Sequence, residues 1–211
     1  MRKALPWLLA LVATLALAGT RLAPPLNVWA AHHFARVAGR TAPYWTVVWP
    51  IGQIVVSTLL FLVAVFARRR RTQERLVACA LFTLGLAIEV GCKHWGLGSA
   101  ASTLARIRRP APPAHVVTAV THAVGRVFSG VKLPTGPQAG LSGTFPSGHV
   151  WRLTFTAGWA ARRPGWILPV LVGVLAAFAV VVRVGHALTD ALGGGFLALF
   201  LLAWGGRLGR R

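Results

Sequence analysis

The chain has 211 residues, 55% of them apolar, with a mean hydropathy of +0.64, which exceeds what a soluble domain of this length needs. A formal charge of +20 invites a nucleic-acid reading. The basic residues, however, stand in short clusters beside apolar runs, with no aromatic-studded basic face, so they are read as topology signals of a membrane protein and not as a nucleic-acid surface.

Taken in order, Met1-Arg2-Lys3 precedes an apolar run from Ala4 to about Ala18 that fits either a signal peptide or an uncleaved first helix reaching about Ala23. Residues 24–43 are expected as a mixed loop, in part an interfacial helix. A second span is expected over 44–66, stopping at Arg68-Arg69-Arg70-Arg71, and a third over 76–97. The third carries Glu89 and Lys93, four apart and so on one helical face, either a functional pair or a self-neutralising one. Cys79 and Cys92 are thirteen positions apart in the same apparent helix, about 20 Å along its axis, and cannot pair within it.

A long Pro-rich connection, 98–145, follows. Within it, His115 to Ser129 has apolar residues at helical spacing and His115, Thr118, His122 and Arg126 opposite them, the pattern of a helix lying in the membrane interface. The fourth span, His149 to Ala161, is thirteen residues, about 20 Å against a hydrocarbon core of about 30 Å, which sets His149 below the membrane surface. The fifth is expected over 166–184 and the sixth over 186–204. Six spans put Arg2-Lys3, the four-arginine cluster, Arg162-Arg163 and the terminal arginines on one side, the cytoplasm. Both termini are then cytoplasmic, and Lys93, His149, His186 and Asp190 face outward. The expected fold class is an all-α, polytopic helical bundle in one domain, 1–211, with a motif-bearing core at about 76–206.

Two stretches carry chemistry. Pro146-Ser147-Gly148-His149 starts a span, so a hydroxyl and unsatisfied backbone N–H groups meet the positive end of a helix dipole, where anions are favoured. His149 there is placed to protonate a leaving group. His186-Ala187-Leu188-Thr189-Asp190 holds the only aspartate of the chain four residues after a histidine, on one face if helical, where it would orient the imidazole; the alternative is a structural pair stapling two helices.

These residues resemble the type 2 phosphatidic acid phosphatase family, which shares a helical core with the vanadium-dependent haloperoxidases. That family is marked by a Lys and an Arg-Pro, then Pro-Ser-Gly-His, then an Arg before His-x-x-x-Asp. The resemblance runs from about Glu89 to Gly195 and implies that His186 takes the phosphoryl group as a phosphohistidine, Asp190 orients it, and His149 protonates the leaving oxygen. It implies no metal or other cofactor, and three acidic residues offer no carboxylate cluster to hold one. Lys93, Ser147 and Gly148 would contact phosphate. The Arg-Pro expected seven residues after Lys93 is displaced to Arg109-Pro110, sixteen after it, and the Arg expected six before His186 is Val180, leaving Arg183 and Arg152 as substitutes. The partner implied is a lipid phosphate within the bilayer: a pyrophosphorylated polyprenol, a phosphatidic acid or phosphatidylglycerol phosphate. A catalytically silent lipid-phosphate binding or transport protein is the alternative.

Overall fold

A proline in the first turn of a helix loses no hydrogen bond, because the N–H groups there have no intrahelical partner. Both helices that open the chain use this. The computed structural model describes residues 3–41, 45, 51–67, 71–97, 144–161, 166–183 and 186–208, and among them there is no strand. Helix α1, Leu5–Ala18, has Pro6 in its first turn. Residues 24–43, expected as a mixed loop, in part an interfacial helix, are helical over the described 24–41: α2 is Ala23–Ala38, followed by one 3-10 turn over Gly39–Thr41. Pro24 and Pro25, which read as loop formers, occupy the first turn of α2, and the break at Gly19-Thr20 turns α2 by 102° from α1.

The remaining helices are α3, Ile54–Phe66; α4, Thr72–His94; α5, Gly148–Ala160; α6, Ile167–Val182; and α7, Leu188–Leu208. The last four match the expected third to sixth spans to within a few residues. The second expected span, 44–66, is described as α3 only from Ile54, after Gly52. Cys79 and Cys92 are free thiols on α4.

Helix α5 lies at the centre, packed against α3, α6 and α7, while α1 runs along α7 and α2 crosses α6. Its sequence explains why. Trp151, Phe155 and Trp159 recur every fourth residue and so form one aromatic face. That face meets Phe61 and Val65 of α3, Leu81 and Phe82 of α4, and Leu197 and Leu201 of α7. Phe61 stacks on Phe82 with ring centroids 4.1 Å apart, and Phe82 sits 5.1 Å from Trp151. Truncating one such fully buried ring costs about 3–5 kcal/mol. On the other side of α5, Val150 joins Ala30, Ala176, Val180, Val181 and Ala191, clamping α2, α6 and α7 together.

Two helices, α4 and Leu188–Gly205 within α7, are long and apolar enough to cross a bilayer, and the bent α1–α2 pair would make a third. Of the six spans expected from the sequence, the described residues therefore show two or three by length and composition. Helices α3 and α6 are apolar but short, and α5 has 13 residues, below the ~20 that a perpendicular crossing needs. The outward faces are nonetheless strongly apolar: Val63 of α3 is 62% exposed, Ile167 of α6 84% and Val174 61%. Apolar surface of that extent on several helices suits hydrocarbon better than water. The connection 98–143, with Arg109 and the expected interfacial helix over 115–129, lies outside the described residues.

Candidate active site

The site forms where the start of α5 meets the start of α7. The approach to α5 is tied to the end of α4, since the N–H groups of Thr144 and Phe145 both donate to the Leu97 carbonyl at 3.0 Å. Ser147, extended at φ −64° and ψ 112°, is the residue from which α5 departs. Its N–H donates to the carbonyl of Asp190 at 2.8 Å, so one backbone bond joins the Pro-Ser-Gly-His turn to the first turn of α7. Across that junction the rings of His149 and His186 stand edge to face with centroids 5.6 Å apart. Both imidazoles are more than nine-tenths buried, and Ser147 and Asp190 are wholly so.

Asp190 does not share a helix with His186, so the expected common helical face is not the relation between them. His186 precedes the first residue of α7, so the four-residue spacing does not describe one helix there. Asp190 stands in the first turn, and its Oδ2 accepts from the N–H of Ala187 at 3.4 Å, the reach-back of a capping box. It thereby holds the peptide next to His186. The same helix end is held from outside by Asn27 of α2, whose Oδ1 accepts from the Thr189 N–H at 3.2 Å and whose Nδ2 donates to the Thr189 hydroxyl at 3.3 Å. Asn27 escaped the sequence reading, although an amide on a face otherwise made of Ala23, Ala30 and Ala31 is the kind of polar residue that must find a partner.

Beneath the turn lies a buried ion network. One carboxylate, Glu89 of α4, is ion-paired with Lys93 one turn on and with Arg152 of α5, and accepts from Trp151 Nε1 at 2.7 Å. Arg152 also donates from Nε to the Ser57 hydroxyl and from Nη2 to the Gly52 carbonyl, each at 2.9 Å, and its guanidinium lies 5.8 Å from the Trp151 ring centroid. Every nitrogen of its guanidinium therefore has a protein partner. Of the two substitutes for the displaced arginine, Arg152 is a structural strut between α3, α4 and α5. Arg183 ends α6, partly exposed and three residues before His186. Lys93 keeps a side-chain exposure of 17%.

Glycine is required at two places. A methyl group on Gly148 would lie 2.1 Å from Glu89 Oε1 and 2.6 Å from Arg152 Nη1, so the turn can rest on the ion network only without a side chain. A methyl group on Gly52 would lie 2.2 Å from Cδ2 of His149 and 2.8 Å from its Cβ, so the turn before α3 packs flat on that imidazole. Gly52→Ala should therefore displace His149 and lower any turnover it supports by roughly 10- to 100-fold, the usual penalty for a misplacement near 1 Å. A folded variant with undiminished rate would remove His149 from the reacting geometry.

The structure thus gathers Ser147, Gly148, His149, His186 and Asp190, with the Lys93–Glu89–Arg152 network lying against Gly148. Ser147 Oγ is buried and has no hydrogen-bond partner among the described residues. A buried hydroxyl left this way carries a desolvation penalty of about 1–3 kcal/mol that a bound acceptor would relieve. Together the junction of α5 and α7 offers a hydroxyl, the positive end of a helix and two neighbouring imidazoles, a set suited to an anion that exchanges protons. Comparisons of the chain with family models, with curated proteins and with solved structures find no match.

Proposed function

We propose that this chain is an integral membrane phosphatase that hydrolyses a phosphomonoester or pyrophosphate on a lipid through a phosphohistidine. The observation that carries the reading is the meeting of His149 and His186 at the turn whose Ser147 hydroxyl is buried and has no hydrogen-bond partner among the described residues. In this reading a ring nitrogen of His186 attacks phosphorus, the bond from phosphorus to the leaving oxygen breaks, and His149 gives that oxygen a proton. Water then attacks the phosphohistidine as His149 takes a proton back, the P–N bond breaks, and inorganic phosphate leaves. Ser147, the first turn of α5, Lys93 and Arg183 offset the charge that builds on the equatorial oxygens. The protein supplies position and charge, and no step calls for a metal.

A lipid is favoured as substrate because the surrounding helices turn apolar faces outward, so that a headgroup can enter laterally while its chains stay in hydrocarbon. A pyrophosphorylated polyprenol, a phosphatidic acid and phosphatidylglycerol phosphate meet that description equally. Phosphate release from such a panel by the detergent-purified protein tests the reading. Silence across the panel from folded protein would favour a lipid-phosphate binding or transport protein instead.

The proposed topology has six crossings, made by α1 and by α3 to α7, with α2 lying across the membrane surface. Both termini are cytoplasmic and the site opens outward. A reporter fused after Arg211 should then be cytoplasmic, and an external signal would overturn this arrangement.

A further inference from the structure

Of the ion network around Glu89 the mechanism above uses only Lys93, yet the network touches the site at two points. The Glu89 carboxylate lies against Gly148, the residue before His149. The carbonyl of Gly52, the residue packed on the His149 ring, accepts from Arg152. Two cations meet one carboxylate, and they are held unequally. Arg152 is fixed by Ser57, Gly52 and Glu89 together and is 4% exposed. Lys93 bonds Glu89 from the more open side. An ammonium carries three N–H donors, and the bond to Glu89 uses one, leaving donors to present elsewhere.

We propose that Glu89 is a positioning residue: it neutralises Arg152 inside the bundle and tethers Lys93 at the edge of the histidine pair, so that one cation, at a set place, faces the phosphate. This rests on the phosphatase reading of the same site. Without the carboxylate, two like charges would share a buried region, and Lys93 would swing away from Arg152. With it, the turn that carries His149 and the cation that meets the phosphate are referenced to one atom group. A simple staple would also bind the helices together, but it would not make the contribution of Lys93 depend on Glu89.

The test is a double-mutant cycle read on turnover. Glu89→Gln alone leaves Arg152 buried without its counter-ion and is expected to fold poorly, so the neutral pair Glu89→Gln/Arg152→Gln serves as the background. Lys93→Ala is then measured in the wild type and in that background. In the wild type it should lower kcat/KM by about 10- to 100-fold, as expected for a donor to the transferring group. In the neutral pair kcat/KM is already reduced by a similar factor, and Lys93→Ala should lower it by less than about threefold more. Competitive inhibition by inorganic phosphate should weaken in parallel. If the folded neutral pair keeps wild-type kcat/KM, or if Lys93→Ala costs the same in both backgrounds, Glu89 is a staple and the proposal fails while the phosphatase reading stands. If the wild type itself releases no phosphate, that reading fails and takes this one with it.

Discussion

Replacement of His186 by Ala should lower phosphate release by about a thousandfold or more while the protein remains folded. The size follows from the role: loss of a covalent nucleophile removes the two-step route itself, and the residual rate is what binding and electrostatics alone provide. Folding should survive because the packing of this region does not rest on the imidazole. The start of α7 is held by the Asn27 pair to Thr189, by the reach-back of Asp190 to Ala187 and by the Ser147-to-Asp190 backbone bond, all of which remain. A brief incubation with phosphorus-labelled substrate should trap an acid-labile, base-stable adduct on the wild type and none on the variant. An unchanged adduct in His186→Ala would move the nucleophile elsewhere, with His149 as the next candidate.

Arg152→Met should act in the opposite sense, through stability and not through turnover. Methionine fills much of the volume and adapts to irregular space. It removes the bonds to Ser57 and Gly52 and leaves Glu89 with Lys93 and Trp151. Breaking one side of a buried ion pair costs about 3–5 kcal/mol. For a chain of this length that corresponds to a fall in apparent Tm of roughly 6–20 °C at ~2–4 °C per kcal/mol. Turnover per folded molecule should fall less than it does in Arg183→Ala. A variant that melts like the wild type but has lost turnover would return Arg152 to the phosphate site.

How much of this was legible beforehand depends on the range of the interaction. The apolar runs behind α4, α5, α6 and α7 are local signals, and their limits were readable to within a few residues. Pro24-Pro25 misled because proline has two local meanings, loop former and first-turn residue, and α2 takes the second. The Glu89–Lys93 pair was visible because residues four apart on a helix must be neighbours. Its third member was not, because Arg152 reaches Glu89 only after α5 has docked on α4. The fold therefore adds to Arg152, a candidate phosphate ligand in the sequence, a bracing contact with α3 and α4.

The amino-acid sequence alone determined that the protein is helical and apolar enough for a membrane, and it singled out Pro146 to His149 and His186 to Asp190, because composition, periodicity and residue chemistry are properties of neighbouring residues. The tertiary structure decided which residues meet. It set His149 against His186, called on Asn27 from α2 to hold the start of α7, and bound Arg152 to Glu89. Those contacts come from helices separated by long stretches of chain, and only the packing of the aromatic face of α5 against its neighbours brings them within bonding distance.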